Sequence, residues 1–357
     1  MTNSNLYLDI NVLQTVPSSN LNRDDTGAPK TALYGGVSRA RVSSQSWKSA
    51  MRKFFSANAV PTGKRTKRAA SFLAQILGEL DPDLDEVSAM QKAKEIFKVA
   101  GIKLNKDNMT GALLFISRGQ MERVAQYALD HDDLDKKDVK KALNGNQSLD
   151  LALFGRMVAD NPELNVEGSA QVAHAISTHE VIPEYDYFTA LDDLKPDDNA
   201  GAAMLGTIEF DSATLYRYAN LNVNELIHNV GCDEAILGAE QFVKSFALSM
   251  PTGKQNTFAN KTLPNYLMVT LRTDTPVNLV SAFEEPIESR TGYMAASIKR
   301  IEHEYQVTEQ FVDQPLLTAI VSQEKSVLDA KVSNLTELLT QLSDMLKKVV
   351  PDEDNNN

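Results

Sequence analysis

The sequence predicts an α+β fold, a β-α-β-β-α-β core interrupted by a large helical insertion. Three observations predict it. Leu6 to Leu13 alternates as a strand and leads, after a polar loop, into a capped amphipathic helix. Residues 58–149 carry helical periodicity and no strand pattern. Two strand-forming segments, a helix and a last strand then follow in order, the split βαβ arrangement of ferredoxin-like and RNA-recognition modules.

Taken along the chain, Leu6–Leu13 is a strand with one face buried, since Leu, Leu, Ile and Val alternate with Tyr, Asp and Asn. A polar loop from Thr15 to about Thr31 holds Asn22-Arg23-Asp24-Asp25 and the breakers Gly27 and Pro29. After Gly35-Gly36 comes a short basic extended piece, Ser38–Val42. Ser43 or Ser44 offers an N-cap to a helix from Gln45 to about Ala57, whose stripe is Trp47, Met51, Phe54 and Phe55. Within 58–149, Ser71–Leu80, Val87–Ala100 and Gly111–Leu129 are amphipathic helices. Gln171–Val181, Ile208–Leu221 and Asn265–Arg272 are strands, and Asn224–Met250 is helical with a break near Gly231. The connection 182–207 is too long for a hairpin turn and is read as a projecting arm. A heptad-like C-terminal helix carries Leu328, Val332, Leu335, Leu339, Leu342 and Leu346, and the acidic tail 351–357 is disordered in composition. The domain reading is therefore a core of 1–57 and 150–290 with its arm at 182–207, a helical insertion at 58–149, a helical segment at 291–350, and the tail.

The charge is unevenly spread. The formal net charge is -12, yet residues 26 to 78 hold ten Lys and Arg and no Asp or Glu, so the remainder sums to -22 (26 basic against 48 acidic). An acid-free basic segment in an acidic chain suggests one face kept for a polyanion. One cysteine, Cys232, excludes an internal disulfide and a zinc cluster, and the cytoplasm is the expected compartment. The first residues lack the pattern of a signal peptide, and no apolar run is long enough to span a bilayer.

Several motifs in order carry a resemblance. They are Asn22-Arg23-Asp24-Asp25, Gly35-Gly36, Arg41-Val42-Ser43-Ser44-Gln45-Ser46 with Lys48 and Arg52, and Gly155-Arg156-Met157. Ala173-His174-Ala175-Ile176, Thr178-His179, Phe188-Thr189-Ala190, Asp192-Asp193, Leu205-Gly206-Thr207, Phe210, Tyr216-Arg217-Tyr218-Ala219-Asn220 and Gly253-Lys254-Gln255 follow. The chain resembles the backbone subunit of type I-E CRISPR Cascade, the CasC (Cas-seven) family of the RAMP superfamily. The match is specific in roughly residues 18–55, 150–222 and 248–262.

The resemblance implies a hand-like protein: a ferredoxin-like, RRM-like palm, helical fingers (58–149) and an extended thumb (182–207). Copies stack along one crRNA, thumbs turn nucleotides outward at intervals, and the stretches between pair with target DNA. Implied partners are copies of itself, the large and small subunits, a Cas-five type cap, the crRNA endonuclease and a recruited helicase-nuclease, with no membrane. The backbone subunit is implied to be no enzyme and to need no cofactor or metal.

Holding any guide requires contacts to phosphate and sugar that leave base edges free. Lys48 and Arg52, one turn apart, meet adjacent phosphates; Ser43 and Gln45 add polar donors at the helix start. Asn22, Arg23 and Lys30 close over the same strand, and Lys254 with Gln255 reaches the palm edge. The resemblance assigns Met157 and Leu205 as wedges at the turned-out nucleotide; the residues themselves also fit an ordinary core. For Arg39, Arg41 and the cluster Lys64 to Arg68, RNA contact and a solvated surface both stay open. The resemblance implies duplex-DNA contact for Lys136, Lys137, Lys140 and Lys141. Asp132, Asp133, Asp135 and Asp138 nearly cancel their field, which favours a salt-bridged, solvated helix.

His174 and His179, five apart in a predicted strand, face opposite ways and are read as structural. Asp24-Asp25 and Asp192-Asp193 keep open an alternative function, an RNA-cleaving backbone subunit with a metal-dependent loop aspartate.

Overall fold

The computed structural model describes residues 5–158, 161–190 and 204–350. The chain opens with β1 (Tyr7–Ser19), β2 (Thr31–Tyr34), β3 (Val37–Val42) and α1 (Ser44–Ala57). Then come β4 (Lys64–Thr66), α2 (Ala69–Leu80), α3 (Glu86–Val99), β5 (Leu114–Ile116), α4 (Arg118–Asp130), α5 (Lys136–Asn144) and α6 (Leu149–Phe154). β6 (Ala170–Val172), β7 (Ala175–Ser177), β8 (Glu184–Ala190) and β9 (Met204–Asn222) precede α7 (Val223–Val230), α8 (Cys232–Leu248) and α9 (Gln255–Phe258). The chain closes with β10 (Tyr266–Arg272), α10 (Met294–Thr308), β11 (Leu317–Ser322) and α11 (Leu335–Val349).

The residues form two compact units. The first takes Met1–Met51, Val172–Asn220 and Glu240–Val349. Its sheet runs in the order β11-β10-β1-β9-β7-β3-β2, and β8 pairs antiparallel with the arm half of β9. β1 lies antiparallel to β10, Tyr7 opposite Arg272 and Leu13 opposite Tyr266, and β10 lies antiparallel to β11. Tyr216, Tyr266, Met268, Phe283, Ile298, Ile301 and Ile320 form its core. The second unit takes Arg52–Gln171 and Leu221–Ala239. Its core is the inner faces of α2 to α5, with Phe72, Leu73, Ile76, Phe97, Met121 and Val124. Among the described residues no helix is long and apolar enough to cross a membrane.

Several expectations are corrected. β1 is buried on both faces: Leu8, Ile10 and Val12 fill one, while Asp9 and Asn11 are also sealed in. That polar face is tolerated because it is hydrogen-bonded. Tyr218 and Asn220 donate to Asp9, the Val277 amide donates to Asp9, and Tyr216 donates to Asn11. The insertion is not strand-free, since β4 pairs with β5, and β5 occupies the start of what reads as the helix Gly111–Leu129. Gln171–Val181 divides into β6 and β7. The C-terminal helix starts at Leu335, not near Leu328: Ile320 and Val332 instead exchange backbone bonds with an extended strip, Ile320 N–H to Ala330 O and Val332 N–H to Ile320 O. The break at Gly231 separates α7 from α8 as expected. Most of the arm's tip, with Asp192-Asp193, and the tail 351–357 lie outside the described residues.

Candidate functional site

The loop between β1 and β2 is built as a rigid edge. Buried Asn20 donates to Gly27 O and to Glu209 O, tying the loop to β9. Asp24 accepts from Thr26 Oγ1, Thr26 N and Ala28 N, and these bonds hold its carboxyl below the usual range, the Thr26 hydroxyl first among them. Asn22 O accepts from Lys30 N, and Lys30 O from Arg41 N, so the loop closes on itself and on β3. Asn22 Oδ1 accepts from Ser43 N at 2.9 Å, which fixes the entry to α1. Ser43 is the N-cap, its carbonyl accepting from Ser46 N and Trp47 N. Trp47, Met51 and Phe55 are sealed in the interior, leaving Gln45 exposed and Lys48 half-buried on other faces of α1.

A second segment meets this edge from 230 residues away. A Cβ on Gly253 would stand 2.2 Å from Leu21 O, so only glycine lets the turn 251–262 lie against the Asn20–Leu21 backbone. The turn is further held by Gln14, which donates to Thr262, and by the Phe210 and Phe258 rings, 5.6 Å apart. Lys254 sits there in a left-handed conformation (φ 49°), a strained backbone for lysine. Half-buried Lys254 and Gln255 thus stand beside the loop of Asn22, Arg23 and Lys30. No described residue pairs with the side chains of Arg23, Lys30 or Lys254.

The two arginines of β3 separate clearly. Arg39 is fully buried and donates to Tyr34 O, Ser177 O, Phe283 O and Glu284 O, so it is an internal clamp. Arg41 remains half-buried at the surface. Its Nε donates to Thr31 O and its Nη1 lies 3.1 Å from His174 Nδ1. A guanidinium only donates, so Nδ1 is the acceptor and the neutral ring carries its proton on Nε2. Burial, Arg41 and Lys30 all lower the His174 pKa, in that order. His179 is structural: its ring stacks on Tyr293 and its Nε2 accepts from Thr214 N.

The arm carries a signal that sequence reading passed over. In the β8–β9 hairpin, Tyr185, Tyr187 and Thr189 lie on one face with Glu209, Thr207 and Leu205 opposite them. Tyr185 (69%), Tyr187 (64%) and Leu205 (61%) are all exposed, an aromatic and aliphatic stripe in water. Phe188 covers Gly206 on the other face, where a Cβ would run into its ring. Alternation of Tyr185 with Tyr187 was visible in the sequence.

In the second unit the remaining predicted residues have the following surroundings. Arg52 donates to Asp150 at 2.7 Å and to Gly63 O, with its guanidinium over Phe115, and Arg65 lies over the same ring. Asp150 is fully buried and also accepts from Gly63 N and Ser148 Oγ, so Arg52 is held in a structural clamp. Arg156 is buried and bonded to Leu164 O, Phe115 O, Gln120 and Asn144, which leaves its neighbour Met157 85% exposed. On α5, Asp135 caps the helix and Lys140 pairs with Glu163, while Lys136, Lys137 and Lys141 face water. Among the described residues no group of three His, Cys, Asp or Glu is placed to hold a metal ion.

The comparisons extend over nearly the whole chain. A family model described as CT1975-like protein matches residues 8–348. A solved chain from a "CRISPR RNA-guided surveillance complex, pre-nicking" is 30% identical, with a TM-score of 0.85 over 95% of this chain and 100% of that one. A second, from a "CRISPR RNA-guided surveillance complex", is 27% identical, with a TM-score of 0.65 over 95% of this chain and 98% of that one. No curated protein matches the chain.

Proposed function

Since the chain belongs to the CT1975-like protein family, we propose that it is the crRNA-binding backbone subunit of a CRISPR surveillance complex. The observation that carries this reading is the end-to-end likeness to a chain of such a complex, at a TM-score of 0.85. The site supplies the chemistry. Arg23, Lys30, Arg41 and Lys254 line one edge and present cations and backbone, not base-reading pockets, which suits a protein that holds any guide by phosphate and sugar. The strand order β10-β1-β9-β7 supports a ferredoxin-like, RRM-like palm. The exposed stripe on the β8–β9 hairpin supports a thumb whose apolar side chains replace lost base stacking, worth about 1–3 kcal/mol per base.

The finer reading is a type I-E complex in the cytoplasm, with copies of this chain along the guide beside a large subunit, a small subunit, a cap and the crRNA endonuclease. Target DNA pairs with the guide, Lys136, Lys137 and Lys141 touch its duplex, and a helicase-nuclease is recruited. The subunit itself is non-catalytic. Asp24 spends its carboxylate on holding its own turn, which favours this over a loop-aspartate nuclease.

The test replaces Lys30 and Lys254 together by Ala, leaving the Arg52–Asp150 clamp intact. Binding of unrelated single-stranded RNAs should weaken equally. The slope of log affinity against log salt should become shallower by roughly 0.7 per lost phosphate contact. Unchanged slope with altered base preference overturns the reading.

A further inference from the structure

Beneath the loop edge lies a small pocket with room for about one water-sized group, and its polar lining is Ser19, Asn22, Lys30, Arg41 and Asp211. Asp211 is 8% exposed, yet no described residue donates a hydrogen bond to it. A buried carboxylate without a donor is costly and rare in a native interior. Its donors must therefore come from outside the chain, water in the RNA-free protein and, when a ligand enters, a group that takes the place of that water. The neighbouring groups narrow the donor. A metal ion is disfavoured, because Lys30 and Arg41 at the same pocket repel cations and, among the described residues, no group of three metal-ligating side chains includes Asp211. A lone phosphate is disfavoured by Asp211 itself. What fits is a ligand with an anion for the cations and, a few bonds from it, a hydroxyl small enough to replace a water in the pocket.

We propose that Asp211 accepts the 2′-hydroxyl of a ribose whose adjacent phosphate is held by Lys30 and Arg41, and that this contact makes the site select RNA over DNA. The 2′-hydroxyl is the one group that distinguishes the two backbones. A largely buried carboxylate acceptor in a pocket that it shares with Lys30 and Arg41 reads sugar identity without reading a base. The assignment rests on the guide-binding function proposed above and adds to it the sugar that the site requires.

The experiment measures affinity of the full chain for one single-stranded RNA, for the same sequence as DNA, and for its 2′-fluoro form, which keeps an RNA-like pucker but has no hydroxyl proton. Asp211→Ala and the isosteric Asp211→Asn are compared with the parent. The parent should bind RNA at least about tenfold more tightly than the DNA or the 2′-fluoro strand, the scale of one hydrogen bond to a charged group. Asp211→Ala should lose that ratio while keeping the salt slope, and Asp211→Asn, which can still accept, should keep part of it. The inference is overturned if the parent treats the three strands alike, if Asp211→Ala leaves the ratio unchanged, or if the effect follows base sequence rather than sugar. Failure of the guide-binding reading looks different: no salt-dependent binding of any strand by the parent.

Discussion

Asp9 and Asp211, on neighbouring strands, both titrate near 6 instead of 3.8, for different reasons. Burial raises Asp9, and Tyr218, the Val277 amide, Asn220 and Arg272 pull it back. Burial and then Glu209 raise Asp211, with no donor pulling back. A raised carboxylate pKa means that the folded state holds the proton more tightly than the unfolded chain. The corresponding stability is fully present below about pH 4 and is lost as pH rises through about 6. At pH 7.5 the free protein therefore carries the cost of ionising a largely buried Asp211 to which no described residue donates. Asp211→Asn should stabilise the RNA-free protein at pH 7.5 by about 1–3 kcal/mol, because no hydrogen bond from a described residue is lost with the charge. The gain should shrink to nothing by about pH 4, read as the difference between urea midpoints across that range. A gain independent of pH would mean that packing, not charge, is responsible. Asp9→Asn offers no such gain, since it strips the acceptor from Val277 N–H and the counter-charge from buried Arg272. A residue kept at a cost to stability is what a binding role produces.

At the scale of elements, the turn 251–262 joins backbone geometry to charge. Gly253→Ala would drive a Cβ into Leu21 O and push Lys254 off the loop edge. It should cost about 1–3 kcal/mol of stability, the usual range for overpacking, measured by urea denaturation. It should also make the salt slope of RNA binding as shallow as Lys254→Ala does. A destabilised protein with the parent slope would show that Lys254 needs no help from this turn. The glycine was legible as part of a motif, but its reason was not, because Leu21 lies 232 residues earlier in the chain. The same division runs through the fold. α1 was legible because burial imposes a period of 3.6 on it, and β1, β9 and β10 because their sequences alternate or are rich in strand formers, although both faces of β1 and β10 are buried. β4 and β5, three residues each, are too short to show a period. β2, four residues long, alternates only between exposed and half-buried, and β8 is exposed on both faces at 184–189, so neither shows a buried face. Leu328 and Val332 mimic a helical spacing, yet the backbone there bonds to β11. In the site, Arg39 and Arg41 are two apart on one strand and point the same way. The segment at Phe283–Glu284 covers the first and not the second, which no local pattern records.

For the whole molecule, charge decides how copies meet. Each carries a net charge of -12, with ten cations gathered in the acid-free stretch 26–78 and -22 on the rest. Like-charged copies repel, over a screening length of about 8 Å at physiological salt and about 30 Å at 0.01 M. A guide is itself a polyanion, so it must enter through the local cations and bring the copies together there. RNA binding should therefore strengthen as salt falls, while association of RNA-free copies should weaken. Light scattering of the RNA-free protein should give a monomer at low salt. Adding RNAs of increasing length should raise the mass in steps of one chain, with step positions fixed by length and indifferent to sequence. A single copy on every length, or an RNA-free ladder that guide leaves unchanged, would show that the acidic surface does not govern assembly and that the basic stretch serves a different ligand.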